Sequence, residues 1–373
     1  MSIDLFADIG KPPDKLHPQF VNLRGSPRFA SARAQMRELQ TDFADPDGNF
    51  VEQFQTVGFD SRTFELFMFA MLRESGHNID RTNKRPDFMI SRDGLTVAVE
   101  AVTASVPSNV GVQPYHAIPT QQTAEEREAY LRNDVPIRLG SPLFSKLQKK
   151  YWLEPHVAGR PFVLAIQDFH GPGSLMVSST PLSGFLFGLR QTWHHDEHGN
   201  LVIQEHKVDH HTAWKTIPSG FFSQPETDNI SAVLFCNSGT APKFARMGQQ
   251  GKHRSENVRM IRFGTCYDHN PDAAKPFGFA YEVGDTNFGL ETWREGTELI
   301  RNPFAKVPLP EEWFGAAVEQ DLIDGRPINT HREEFLPYWS QTQMFPGTTS
   351  NAAIKHALAT VTAAMSKDYE MRL

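Results

Sequence analysis

The sequence predicts an α/β protein, because helical and strand-like patterns alternate between residues 61 and 166. Residues 61–74 carry apolar side chains at helical spacing, and residues 86–90 and 95–103 resemble two strands joined by a tight turn. A second amphipathic helix is expected at 141–152, and the apolar run 160–166 predicts a strand buried on both faces. The predicted order is therefore α-β-β-α-β.

Length and composition indicate a globular protein with one elaborated domain. The chain has 373 residues, of which 39% are hydrophobic and 22% charged, so it is long enough to bury a full core. We expect an N-terminal elaboration at residues 1–60 and a core at 61–170. Residues 171–373 either continue the same domain or form a substrate-recognition elaboration.

Several classes of protein are disfavoured by what the sequence lacks. It has no run of about 18 apolar residues and no signal-peptide pattern, which predicts a cytoplasmic protein with no membrane partner. Cys236 and Cys266 are too few for a disulfide framework or a thiolate zinc site. No P-loop, dinucleotide-binding or nucleophile-elbow motif occurs, so neither nucleotide hydrolysis nor serine-hydrolase chemistry is indicated.

Asp87 and Glu100 are expected to face each other across the predicted hairpin. If Asp93-Gly94 forms a two-residue turn, Arg92 pairs with Leu95, and the same register places Asp87 opposite Glu100. Directly opposed side chains share a face with Cβ atoms about 4.5–5.5 Å apart, where two carboxylates repel unless a proton or a cation joins them. A four-residue loop would make the pair diagonal, and a three-residue loop would place the two on opposite faces.

Two glutamates stand in apolar surroundings. Glu100 is the sole charge within residues 95–102, and Glu65 is the sole charge within 64–72. Such carboxylates need partners, and clustered carboxylates are the ligands that Mg²⁺ prefers. The alternatives are a solvent-facing edge strand for Asp87 and Glu100, and an ion pair between Glu65 and Arg62 on the helix surface.

These residues together resemble the motif of the PD-(D/E)XK nuclease superfamily, over roughly residues 60–170. The resemblance rests on a helix with Glu65, on Pro86-Asp87, and on Glu100 in the following apolar strand. It implies a restriction-endonuclease-like α/β core (αβββαβ, a mixed central sheet flanked by helices) with large N- and C-terminal elaborations. It also implies that Glu65, Asp87 and Glu100 bind Mg²⁺ or Mn²⁺.

The sequence departs from that family at the lysine two residues after the strand glutamate, where it has Val102. In some members the lysine lies on the following helix, which implies a catalytic role for Lys146 or Lys150. These two are four residues apart and are expected to share a helix face. The alternative is that both belong to a solvated face of that helix.

Positive charge is concentrated in one segment of a chain whose net charge is -7. This segment is the expected contact for nucleic-acid phosphates, unless the protein's own acids neutralise it. Its candidate residues are Lys243, Arg246, Lys252, Arg254, Arg259 and Arg262. The histidines between residues 194 and 211 fit no closed zinc motif and are interpreted as a polar hairpin, with metal binding as the alternative.

The sequence thus predicts a metal-dependent endonuclease, a hydrolase that cuts DNA, with RNA left open as the alternative substrate. The resemblance places it in prokaryotic defence or nucleic-acid processing, and a homodimer is left open. A second hypothesis is a nuclease-fold protein that binds nucleic acid or acts as a scaffold without cutting, having lost the strand lysine. A third is an unrelated α/β enzyme that imitates a short motif.

Overall fold

The computed structural model describes residues 4–105, 123–285 and 287–372. Within these ranges the α-helices are α1 (Pro18–Gly25), α2 (Ala30–Gln40), α3 (Phe50–Gln55), α4 (Phe59–Glu74), α5 (Ala124–Ala129), α6 (Val135–Leu147), α7 (Thr180–Phe187), α8 (Ala241–Gln250) and α9 (Asn351–Met365). The strands are β1 (Asn78–Asp80), β2 (Phe88–Arg92), β3 (Leu95–Ala104), β4 (Phe162–Asp168), β5 (Leu189–His195), β6 (Leu201–Lys207), β7 (His210–Thr212), β8 (Thr216–Pro218), β9 (Ala232–Cys236), β10 (Val258–Cys266), β11 (Phe277–Glu282), β12 (Thr297–Arg301), β13 (Val318–Ile323), β14 (Arg326–His331) and β15 (Pro337–Pro346).

A mixed sheet forms the centre of the protein and confirms the predicted α/β class. In the described ranges it has eight strands in the order β1-β2-β3-β4-β9-β12-β13-β14. Strand β2 is antiparallel to both of its neighbours, β1 and β3. Strands β3, β4 and β9 are parallel, and β12 returns antiparallel to β9. The sheet therefore extends without a break from the predicted core into strands contributed by residues 171–373.

Helices cover both faces of this sheet. On one face α4 packs its buried side chains, Phe64, Phe67, Met68, Met71 and Leu72 among them, against the alternate residues Val97 and Val99 of β3. On the other face α6 packs against the remaining alternate residues of β3 and β4, and α7 packs against α6 in the same hydrophobic cluster. Every residue of β4 is buried, as expected for a central strand covered on both sides.

The element order differs from the prediction in two places. A three-residue strand, β1, follows α4 and pairs with β2, and its shortness explains why no sequence pattern indicated it. The second helix lies earlier than expected, because α5 continues through a π-helical turn at Tyr130–Asp134 into α6, which ends at Leu147. The order is therefore α4, β1, β2, β3, the α5–α6 helical unit, and β4.

Smaller sheets complete the C-terminal half. Strands β11, β10 and β15 form an antiparallel sheet, against which α9 packs. The histidine-rich segment forms the predicted hairpin, β5 with β6.

Candidate active site

The β2–β3 hairpin has the turn that the sequence predicts. Asp93 and Gly94 both adopt positive φ values, 51° and 80°, as a two-residue turn of this type requires. Arg92 pairs with Leu95, and Phe88 pairs with Val99. Asp87 directly precedes this register and so lies opposite Glu100, on the sheet face that α6 covers.

Asp87 and Glu100 are fixed by each other's backbone. The amide of Asp87 donates to Glu100 Oε2 at 3.1 Å, and the amide of Ala101 donates to Asp87 Oδ2 at 2.7 Å. Glu100 is buried, whereas Asp87 is partly exposed. The pair is therefore held rigidly at the end of the hairpin with one member open to solvent, which is not the solvated edge strand of the alternative interpretation.

Lys146 joins this pair from α6. Its ammonium group forms an ion pair with Glu100 Oε1. Burial lowers the pKa of Lys146, but Glu100, with smaller contributions from Asp87 and Tyr151, more than compensates, so that the pKa lies above its ordinary value. Of the two predicted lysines, Lys146 is thus the one that the structure brings to the carboxylates.

Lys150 does not share a helix face with Lys146, so that expectation was wrong. The helix ends at Leu147, and Lys150 has a left-handed backbone with φ of 52°. Its Nζ lies 2.6 Å from Glu226 Oε1, in an exposed ion pair. Its charge is therefore directed to Glu226 and not to Glu100.

Glu65 is buried on α4, as its apolar surroundings suggest, and it is also paired with Arg62, as the alternative interpretation expects. Its Oε1 lies 2.5 Å from Arg62 Nη1, and its Oε2 lies 3.3 Å from Arg81 Nη2. Arg81 follows β1 and stacks on Phe43, at 4.0 Å from the ring centroid. Arg81 was not among the predicted site residues, and it follows a strand too short to be recognised from its pattern.

The three carboxylates are electrostatically crowded. Burial and then the Asp87 carboxylate raise the pKa of Glu65 to about 7 and that of Glu100 to about 8, against the opposing effect of Arg62, Arg81 and Lys146. Asp87 therefore lies within electrostatic reach of both glutamates. A cation of higher charge near Asp87 would relieve this crowding.

The chemistry of this donor set suits a hard divalent cation, but its oxygens already have partners. Both Glu65 oxygens face guanidinium groups and one Glu100 oxygen faces Lys146, whereas Asp87 Oδ1 has no donor among the described residues. In the same ranges no group of three or more His, Cys, Asp or Glu is arranged as a metal site. Asp87 and Glu100 fit two ligand positions, and Glu65 becomes a third only if it is released from its arginines.

Half of the predicted phosphate-binding residues are buried, so that part of the prediction was wrong. Lys243, Arg246 and Arg262 are at most 3% exposed. All three surround Glu291, and Arg262 also pairs with Glu295 at 2.8 Å. These cations neutralise the protein's own acids inside the fold and are not accessible to a phosphate.

The other three lie at the surface with varied partners. Lys252 pairs with Glu38 at 2.7 Å, and Arg259 pairs with Glu282 at 2.7 Å. Arg254 is exposed. The structure does not gather these residues beside Asp87, and any contact with nucleic acid through them stays a prediction.

Comparison with family models, with curated proteins and with solved structures finds no match to this chain. The fold and the site geometry show a mixed α/β protein with a buried carboxylate–lysine cluster at the end of the β2–β3 hairpin. None of the helices in the described ranges is long and apolar enough to cross a membrane.

Proposed function

We propose that this protein is a Mg²⁺- or Mn²⁺-dependent phosphodiesterase that cuts DNA, with a core of the PD-(D/E)XK kind. The observation that supports it is the meeting of Asp87, Glu100 and Lys146 at one end of the β2–β3 hairpin. The order of α4, three strands, the α5–α6 unit and β4 also agrees with an αβββαβ core. A role in prokaryotic defence or nucleic-acid processing is part of the same proposal.

Each site residue has a role in this proposal. Asp87 and Glu100 hold the divalent ion, with Glu65 as a further ligand once its arginines release it. A bound Mg²⁺ supplies Lewis-acid activation of water and stabilises charge on the phosphate. Lys146 takes the place of the absent strand lysine, because its ammonium reaches the same carboxylate from the neighbouring helix and can contact a phosphate oxygen or a water.

In this proposal, the phosphate contacts near Asp87 and Glu100 come from cations outside the basic segment that contains Lys243 and Arg262. Lys84 and Arg85 directly precede Pro86-Asp87, and their side chains are 74% and 63% exposed. Lys84 pairs with Asp47 and Arg85 pairs with Glu154, both at the surface. A phosphate can take the place of either carboxylate at little cost in free energy. We assign Lys84 and Arg85 the first contacts with the DNA backbone.

Cleavage of plasmid and single-stranded DNA tests the proposal, with Mg²⁺, with Mn²⁺ and with EDTA. Asp87→Asn, Glu100→Gln and Lys146→Met are each expected to lower the rate by about 10²-fold or more, while metal chelation abolishes it. Lys150→Met is the matched control and is expected to stay within about twofold of wild type, because its charge is paired at the surface. Equal cleavage by wild type and Asp87→Asn would contradict the assignment.

The second candidate is a nuclease-fold protein that binds DNA without cutting it. The pairing of both Glu65 oxygens with Arg62 and Arg81 favours it, because this removes one ligand from the metal site. It predicts DNA affinity that is unchanged by EDTA and no binding of Mn²⁺. Calorimetric titration with Mn²⁺ and, separately, with DNA distinguishes the two candidates.

A further inference from the structure

Glu298 on β12 is a buried carboxylate with an unsatisfied oxygen. Its Oε2 accepts a hydrogen bond from Ser179 Oγ at 2.5 Å, whereas its Oε1 has no hydrogen-bond partner in the described part of the chain. Burial raises the pKa of Glu298 to about 7, and no cation among the described residues opposes this effect. A buried acceptor without a donor costs free energy. The fold therefore retains a carboxylate whose hydrogen-bonding capacity the described residues do not use.

This carboxylate borders a cleft large enough for a small molecule. The cleft has a volume of about 900 Å³, within the range of about 300–1,000 Å³ that is common for ligand sites. Tyr267, Tyr338 and the half-exposed Trp193 line it and offer aromatic surface. The last torsion of a glutamate is broad, so the two carboxylate oxygens can rotate about it without the side chain leaving its rotamer.

The lining of the cleft also carries available positive charge. Arg190 and Lys275 line it and are exposed, and neither has an ion-pair partner in the described parts of the chain. The acidic residues Glu128 and Asp268 also line it, but each is held in an ion pair. A ligand in this cleft thus meets an acceptor at Glu298 and cations at Arg190 and Lys275.

We propose that this cleft, here called the Glu298 cleft, binds a guanine nucleotide, either free or as part of a single strand. Guanine presents two adjacent N–H donors on its pairing edge, which suit the free oxygen of Glu298. Adenine presents a ring nitrogen acceptor at the same place, and above pH 7, where the Glu298 carboxyl is mostly ionised, this acceptor is repelled. The tyrosines provide stacking surface for the base, and Arg190 and Lys275 pair with the phosphate. A polyamine fits poorly, because these two cations repel it.

This site is separate from Asp87 and Glu100 and does not depend on cleavage there. Calorimetric titrations at about pH 8, where Glu298 is mostly ionised, use GMP, AMP, L-arginine and a guanine-containing single strand as probes, with EDTA present to prevent metal-dependent turnover. The proteins are wild type, Glu298→Gln, Arg190→Ala and Lys207→Ala. Lys207 is an exposed cation on β6 that pairs with Asp209 and does not line the cleft, so it is the matched control.

Wild type and Lys207→Ala are expected to bind GMP at least about tenfold more tightly than AMP. Glu298→Gln and Arg190→Ala are each expected to lose about tenfold in GMP affinity. Competition between GMP and the single strand shows whether the nucleotide is recognised free or within a strand. Arg190 is at the surface, so its variant remains informative if Glu298→Gln fails to fold.

Three outcomes overturn the proposal. The first is no binding of GMP or of the strand to wild type. The second is equal affinity of GMP for wild type and Arg190→Ala, or for wild type and a folded Glu298→Gln. The third is binding of L-arginine without GMP, which would show recognition of a cationic head group alone.

Discussion

Binding of a divalent ion at Asp87 and Glu100 is expected to release protons at neutral pH. The two neighbouring glutamates keep protons there because burial and the Asp87 carboxylate raise their pKa values. A metal ion binds the ionised carboxylates, so these protons must leave. At pH 7, Glu100, with a pKa of about 8, would release roughly 0.9 proton, and Glu65, with a pKa of about 7, would add roughly 0.5.

The number of protons is measured by titrating Mn²⁺ calorimetrically in two buffers that differ in ionisation enthalpy. The difference in observed heat gives the protons released per ion bound. Wild type is expected to release roughly 1.4 if Glu65 takes part, and Glu65→Gln roughly 0.9. Glu298→Gln is the control, because it removes another buried glutamate whose pKa is about 7. Glu298 lies on β12, away from the metal site, so the number of protons released per ion should not change.

The affinity for Mn²⁺ should also fall as the pH is lowered, because protons compete for the same carboxylates. From pH 8 to pH 6 the expected loss is roughly 50-fold if Glu100 alone must ionise, and roughly 500-fold if Glu65 must ionise as well. Binding of Mn²⁺ with no proton released at pH 7, and with the same affinity at pH 6, would refute the reasoning. The ion would then be held by other groups.

Three further predictions concern stability. Glu291→Gln should lower the free energy of unfolding by about 3–5 kcal/mol, because it leaves buried cations uncompensated. Glu282 is more exposed, and Glu282→Gln should lower the free energy of unfolding by less than about 1 kcal/mol. Urea unfolding measures both variants, and similar losses would contradict this prediction. The pKa of Glu298 is raised in the folded protein, so its contribution to stability is complete below pH 4.5 and is lost as the pH rises through about 7. Wild type should therefore lose up to roughly 3 kcal/mol relative to Glu298→Gln between pH 4.5 and 8, and a constant difference would count against this. Gly94→Ala should lower the free energy of unfolding by about 1 kcal/mol, because φ at this position is 80°; no clash contributes, since no atom lies within 4 Å of the new Cβ. Gly25→Ala in α1 is the control and should be neutral or stabilising, and thermal unfolding measures both.

The part of the site that depends on local geometry could be predicted from the sequence. A two-residue turn at Asp93-Gly94 fixes the register of its own hairpin, so the facing of Asp87 and Glu100 follows from the turn alone. The helix with Glu65 was predicted for a similar reason, since its apolar spacing extends over four turns. In both cases the residues that determine the structure are close in sequence.

The part that depends on distant partners could not be predicted. The basic segment gave no sign of burial, because Glu291, the carboxylate that neutralises both Lys243 and Arg246, lies more than 40 residues further along the chain. Composition counts charges but does not show which of them pair. The position of Lys150 was predicted wrongly for a different reason: α6 ends at Leu147 without a glycine or a proline to mark the end, so the helix was expected to continue through Lys150.

The balance of charge at the site determines how a metal ion can bind there. Three carboxylates are matched by three cations of the same chain, which are Arg62, Arg81 and Lys146. A divalent ion must compete with these cations, so its affinity for the free protein should be low. Mg²⁺ commonly binds through one or two carboxylates together with substrate phosphates. A DNA phosphate that approaches Lys146 would draw that cation away from Glu100 and add an oxygen ligand at the same time. Metal and DNA should therefore each strengthen the binding of the other in an active nuclease, whereas in a protein that only binds DNA the two affinities should be independent.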